Sequence, residues 1–156
     1  MGLIKGERIS SKGNGYILVI PGYNNPQLKR FHQEAIAYIR DTQGRQRIGK
    51  LVEFVHNNII YDEQWNERQK EVSLIRSLHL RKGVCKEKAS ILSMLLQMEG
   101  FENEFKRGTL SGENKRERHA WVKVKVDGEP FLADSEQLRF GKYESVSRMN
   151  GYLEDK

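Results

Sequence analysis

The chain is poor in anything that would staple or anchor it. Its 156 residues include a single cysteine, so no internal disulfide can form and a reducing cytoplasm is the expected compartment. Long apolar runs are missing: nothing approaches the roughly 20 residues that span a bilayer. Residues 1–15 also lack the apolar segment of a secretory signal, so a soluble protein with no membrane partner is expected. Gly6 stands where a myristoylated Met-Gly start would carry Ser or Thr. There are no repeats or low-complexity tracts, and no CxxC or HxxxH spacing, so neither metal nor cofactor is expected. No long block of one charge sign occurs. The net charge is +6, yet the 31% of charged residues mix both signs, a milder pattern than a nucleic-acid footprint usually has. What is left is one domain's length of chain, able to bury a core without staples.

The lone cysteine lies in Arg81-Lys82-Gly83-Val84-Cys85-Lys86-Glu87-Lys88-Ala89, at the junction of a polar loop and an apolar helix. Ala89, Ile91, Leu92, Leu95, Leu96 and Met98 fall at helical spacing, with Gly100 as the C-cap. Unpaired N–H groups at a helix N-terminus favour a thiolate, the attacking form of cysteine. Gly83 leaves space for a substrate backbone beside the sulfur, and the N–H groups there are candidate oxyanion donors. A lone cysteine at a helix start is also compatible with a small buried hydrophobe; its partners separate the two readings.

His119-Ala120-Trp121-Val122-Lys123-Val124-Lys125-Val126 alternates apolar even positions with mostly polar odd ones, a strand with one buried face. Asp127-Gly128 is the preferred type I′ hairpin pair, and residues 129–134 run back. Placing Val126 opposite Glu129 sets Val124 opposite Phe131, Val122 opposite Ala133 and Trp121 opposite Asp134. His119 and Asp134 then become diagonal neighbours with Cβ atoms roughly 7 Å apart, close enough for the carboxylate to hold the imidazole while the other ring nitrogen faces the thiol. Pro130 marks the return strand as an edge or a bulge. The register leaves a tension: the valine face should pack on the core helix, which puts His119 on the face opposite the sulfur unless a strand end or bulge near Arg118 turns it. His79, six residues before Cys85, opens no patterned strand and is the weaker base candidate.

Gly83-Val84-Cys85 with Glu87 and Ala89, then His119-Ala120-Trp121-Val122, then Asp127-Gly128 and Asp134, resemble the core domain of the transglutaminase-like superfamily. The upstream stretch from Leu51 to Asp62, with Ile59-Ile60-Tyr61, resembles the helix and Ile-x-Tyr segment that precede its cysteine block. The resemblance spans roughly residues 45–136. It implies an α+β, papain-like fold and a Cys85-His119-Asp134 triad, in a superfamily of protein cross-linking enzymes, cysteine peptidases, peptide N-glycanase relatives and members that have lost activity. The chain departs from the pattern in lacking the accessory β-domains of animal cross-linking enzymes and in carrying Ser135-Glu136 where a Pro often follows the aspartate.

The remaining segments are read around that core as one transglutaminase-like domain over residues 1–156. Residues 1–44 supply a strand at Tyr16–Ile20 and a helix that Asn25 caps and Pro26 opens; the core covers 45–136, beginning with a helix over about 47–58; residues 137–156 form a surface extension. Tyr61, Trp65 and Trp121 are candidates to line the substrate cleft, and Tyr61 or Trp65 could give a second oxyanion donor. Residues 101–110 read as a strand, and residues 111–118 as a polar loop able to act as a lid. Basic clusters at Lys106-Arg107, Lys115-Arg116 with Arg118, and Arg81-Lys82 with Lys86 and Lys88 suggest a positive rim that attracts acidic segments of a protein or peptide substrate. The expected activity is thiol acyl transfer on amide bonds, with the acceptor, water or a lysine amine, left open. The alternatives are a non-catalytic module whose basic rim holds an acidic protein or nucleic acid, and a metal site at Cys85, His119 and Asp134.

Overall fold

The computed structural model describes residues 8–10, 17–19, 22, 24–65, 71–112 and 115–155, with strands 8–10, 17–19 and 71–73 described by backbone alone. In chain order the elements are β1 (Arg8–Ser10), β2 (Ile17–Val19), α1 (Pro26–Tyr38), α2 (Gly44–Asn58), β3 (Ile60–Tyr61), β4 (Glu71–Ser73), α3 (Leu74–Leu80), β5 (Lys82–Gly83), α4 (Cys85–Met98), β6 (Asn103–Ser111), β7 (Arg116–Val126), β8 (Glu129–Asp134), β9 (Arg139–Lys142), α5 (Tyr143–Asn150) and β10 (Tyr152–Glu154). Helices and a mainly antiparallel sheet are mixed along the chain, which is the α+β class.

Local chemistry explains most boundaries. The Asn25 side chain accepts from the Gln27 and Leu28 N–H groups at 2.9 and 3.1 Å, and Pro26 fills the first helical position, where no N–H is needed. The helix stops at Tyr38, short of Gly44, and Gly44 opens α2 in a left-handed conformation at φ +56°. The Asp127-Gly128 turn has φ values of +53° and +81°, the conformation a type I′ turn requires.

The main sheet has five strands in the order β10-β6-β7-β8-β9, every neighbour antiparallel. Val126 pairs with Glu129, Val124 with Phe131 and Val122 with Ala133, the register that the Asp-Gly turn and the alternation predict. Trp121 and Asp134 do not continue that ladder. Beyond Val122, β7 pairs only with β6, while Asp134 pairs with Arg139 of β9, so β7 and β8 part company at this end. β8 is an interior strand rather than the edge or bulge that Pro130 suggested. Pro130 is tolerated because β9 begins pairing only at Phe131, leaving Lys125 of β7 as its one cross-strand neighbour.

Both faces of this sheet are covered. The valine face, with Ala120, Val122, Val124, Phe131 and Ala133, packs on α2 and α4 to form the main core, and α1 and α3 add Leu28, Phe31, Leu74 and Leu78. The opposite face carries Leu110, Trp121, Leu132 and Tyr152, with Tyr143 and Val146 of α5 packed on them. Burying each such large apolar side chain contributes on the order of 2 kcal/mol. The described part of the expected surface extension 137–156, residues 137–155, is therefore built into the sheet as its two edge strands and the helix over its second face. The polar loop expected over 111–118 is shorter, because β6 runs to Ser111 and β7 starts at Arg116; residues 113 and 114 lie outside the described residues, as do Tyr16 and Ile20 of the first expected strand. Two smaller sheets complete the described residues: β1-β2-β4, with β1 antiparallel and β4 parallel to β2, and the parallel pair β3 and β5. Among the described residues no helix is long and apolar enough to cross a membrane.

Candidate active site

The site forms where β7 and β8 part and the N-terminus of α4 meets them. Cys85 is the first residue of α4. Glu87, fully buried, folds back so that its Oε1 accepts the Val84 N–H at 2.7 Å; this is the carboxylate half of a capping box. That side chain also explains Gly83. A Cβ there would meet the Glu87 Cβ at 2.7 Å, so the space expected to admit a substrate backbone is occupied by the helix's own cap. Gly83 is a packing residue at this point of the fold.

His119 is 3% exposed and its Nε2 lies 2.7 Å from Asp134 Oδ2. Cys85 acts on the same ring and helps to raise it. The tension between faces is resolved by the parting of the strands: His119 keeps the face of Trp121, on which its ring stacks at 6.1 Å, and the tip of α4 reaches the ring where β8 no longer pairs with β7. Burial works against the imidazolium and is the largest single influence. Hydrogen bonds to Asp134 and Cys85, with their charges, outweigh it and hold His119 up at about 10. Asp134 is also opposed by burial, but its bond to the imidazole and the charge of His119 keep its carboxyl below the usual aspartate value. The environment thus favours a charged imidazolium on a charged carboxylate.

The Asp134 carboxylate has a full set of donors. Oδ1 accepts the backbone N–H groups of Glu136 and Gln137, both at 3.0 Å. Oδ2 accepts the Tyr152 hydroxyl at 2.5 Å in addition to the imidazole. Tyr152 is 5% exposed, and burial foremost, then Asp134, pushes its hydroxyl well above the usual tyrosine value, so it is a firm donor. Arg139 Nη1 donates to the same hydroxyl oxygen at 3.2 Å. Sequence reasoning missed Tyr152 as a site residue. The only local signal was an aromatic in an otherwise polar C-terminal stretch, and its link to Asp134 depends on β10 pairing with β6.

Three further candidates separate. Tyr61 is 47% exposed, and its phenol is pushed up by burial first and then by the charges of Glu136 and Cys85. Trp65 is buried under the Arg76 guanidinium, 4.7 Å from the ring centroid. Its backbone N–H bonds Asp62 O, and Asp62 N–H bonds Gly83 O, at 2.9 and 3.0 Å. Its indole N–H is buried and has no acceptor among the described residues. Trp121 is a correction: it is fully buried, and its indole N–H donates to Tyr143 Oη at 2.9 Å, so it backs the histidine from below and cannot line an open cleft.

Part of the expected positive rim is held in ion pairs or buried. Arg81 grips Glu34 at 2.7 and 3.3 Å, Lys106 lies between Glu104 and Glu154 at 2.7 and 3.3 Å, and Arg118 holds Asp155 through both oxygens. Lys88 is not at a rim at all but 3% exposed, one helical turn from Cys85; burial pulls its ammonium below the usual lysine value against the charges of Glu136, Asp134 and Cys85. Glu136, Glu63 and Glu117 act on Tyr61, so carboxylates as well as cations lie in this neighbourhood. Away from the site, His32 bonds Glu99 at 2.8 Å and His56 bonds the Ser135 carbonyl at 2.6 Å. His119, Asp134 and Glu136 bring ligand atoms within 4.8 Å of one another, a spacing that could take an ion, although Nε2 and Oδ2 are already bonded together; this group includes Glu136 and not Cys85.

A cysteine at a helix start, acting on a histidine that an aspartate holds from a neighbouring strand of an antiparallel sheet, fits the class of papain-like α+β folds. Within that class the family is shown by its sequence model: residues 32–133 match the transglutaminase-like superfamily, and the chain belongs to it. Solved structures agree in fold. A proposed cysteine protease from Cytophaga hutchinsonii superposes with a TM-score of 0.59 at 17% identity over 71% of this chain. A TGase superposes with 0.56 at 16% over 70%, and LapG of Legionella pneumophila with 0.55 at 16% over 79%. The chain spans 38% of the first of these proteins, 30% of the second and 72% of the third. No curated protein matches the sequence.

Proposed function

We propose that the protein is a thiol acyl-transfer enzyme acting on amide bonds of proteins or peptides, with Cys85 as nucleophile, His119 as acid and base, and Asp134 orienting the imidazole. The observation that carries this reading is the buried Asp134–His119 pair, closed by Tyr152, on whose imidazole Cys85 acts from the start of α4. The Cys85 sulfur attacks the amide carbonyl, and the amine departs with a proton from the His119 imidazolium, leaving a thioester. The acceptor then gives its proton to the imidazole and attacks the thioester, releasing the product and the thiolate. Water as acceptor makes the protein a peptidase or deamidase; a lysine amine makes it a cross-linker. Donors at the start of α4, with the unpartnered Trp65 indole N–H as a second candidate, would hold the oxyanion.

The test is alkylation of Cys85 by iodoacetamide at pH 6, in wild type and in His119→Ala. The expected result is rapid alkylation in wild type and a loss of about tenfold or more in the variant, because the imidazolium is what holds the thiolate there. Equal slow alkylation in both proteins would remove the enzyme reading.

A further inference from the structure

A cavity of about 370 Å³ opens beside the imidazole–carboxylate pair, on the face of the main sheet that carries His119. Strand register places it. Glu117, in its wall, is two residues before His119 on β7 and so shares that face; Leu110 pairs with Glu117, and Tyr152 pairs with Leu110. Arg139, in the opposite wall, pairs with Asp134, and the backbone N–H of Gln137, also in the wall, is one of the donors to Asp134 Oδ1. The wall of the cavity therefore includes two residues, Gln137 and Arg139, that bond or pair with Asp134.

Its charge is what selects a ligand. Among the described residues the Arg139 guanidinium has no carboxylate within ion-pair distance; it reaches only the Tyr152 hydroxyl at 3.2 Å and lies 5.7 Å from that ring. A guanidinium has five N–H donors in a planar fork that matches a carboxylate, so most of its capacity is unused. Among the described residues of the wall, Lys115 adds a second cation and Glu117 a single anion, a surplus of one positive charge. The volume lies at the lower end for ligand pockets, which suits one side chain of an extended peptide. We propose that this cavity is a substrate subsite for an aspartate or glutamate side chain near the scissile amide, with Arg139 recognising its carboxylate. The inference rests on the reading of Cys85 as the nucleophile, since that reading supplies the reacting end of the substrate. It adds a consequence: a carboxylate seated on Arg139 orders the same Arg139–Tyr152–Asp134 chain that holds the imidazole.

The experiment has a reactive and a binding arm. Iodoacetyl peptides carrying either Glu or Gln, separated from the warhead by none, one or two glycines, are reacted with Cys85. At one spacing or more the Glu probe should react about tenfold faster than its Gln twin, the size expected for a charge-assisted pair. Arg139→Gln should bring the ratio to about one; the ratio cancels any general loss of reactivity from disturbing Tyr152. Glu117→Gln should raise the ratio, and Lys115→Gln should lower it in case the Arg139 variant fails to fold. Equal rates at every spacing in wild type would overturn the subsite. The binding arm follows the Arg139, Gln137 and Asn150 side-chain NMR signals of Cys85→Ala while N-acetyl-Gly-Glu-Gly-amide or its Gln counterpart is added. Shifts with the Glu peptide alone, when no probe alkylates Cys85 of the wild-type protein at a measurable rate, would keep the subsite and remove the thiol-enzyme reading. No shifts with either peptide would overturn the subsite whatever the alkylation shows.

Discussion

At the scale of single residues, the most heavily used group in the molecule is the Asp134 carboxylate, which accepts from His119, Tyr152 and two backbone N–H groups. A buried carboxylate needs this many donors because desolvation alone would protonate it. The Tyr152 hydroxyl is the donor that can be removed with least change in shape. In Tyr152→Phe, Asp134 keeps three donors and the sheet keeps its ring, so thermal stability should fall by about 1 kcal/mol, the usual net worth of one hydrogen bond. Cys85 alkylation at pH 6 should slow several-fold, because the imidazole loses part of its anchor. Differential scanning calorimetry and the iodoacetamide rate report these separately, and an unchanged rate would show that the histidine is held without Tyr152.

At the scale of elements, the site depends on an edge strand that few residues anchor. β10 is three residues long and pairs with β6 from Tyr152–Leu110 to Glu154–Gly108. Gly108 allows that approach: a Cβ there would lie 2.0 Å from the Leu153 carbonyl oxygen and 2.7 Å from the Trp121 ring. Gly108→Ala should therefore expel β10, withdraw Tyr152 from Asp134 and unseat Trp121 beneath His119. The expected outcome is a loss of about 2–3 kcal/mol, as for overpacking of a tight site, together with loss of hydrogen-exchange protection at Leu110 and Ser111. Protection that persists there would mean that β10 adapts in place. α4 shows the opposite economy, since Glu87 caps its start from within the same turn and needs no distant element.

At the scale of the whole molecule, the sheet is loaded on both faces, by α2 and α4 on one and α5 on the other, and the buried ion pair lies where the two cores meet. Its pH dependence should therefore appear in global stability. His119 is raised from 6.5 to about 10, so its contribution is complete below pH 6.5 and is lost as the pH rises through about 10. Asp134 is lowered from 3.8, so its contribution is present above pH 3.8 and lost as the pH falls below it. Thermal unfolding followed from pH 5 to 10 should show wild type losing stability across the alkaline half of that range. His119→Asn should lose distinctly less; parallel curves for the two proteins would show that the pair does not govern the alkaline limb.

Local chemistry made much of this legible without coordinates. An Asn-Pro start marks α1, an apolar stripe marks α4 with Cys85 at its head, and an Asp-Gly turn with alternating valines sets the β7–β8 register that brings His119 and Asp134 within reach. These signals act over a few residues, where turn geometry and side-chain period leave little choice. The family is legible too, because its motif residues lie in those same local elements. What only the tertiary structure decided depends on segments far apart in sequence. The end of the β7–β8 ladder lets α4 reach His119. Pairing of β10 with β6 delivers Tyr152 to Asp134, Glu87 fills the space over Gly83, and burial takes Lys88 and Trp121 out of the surface roles their types suggest. Such outcomes turn on which backbone lies against which and how closely, and no period or turn signal within a single stretch carries that information.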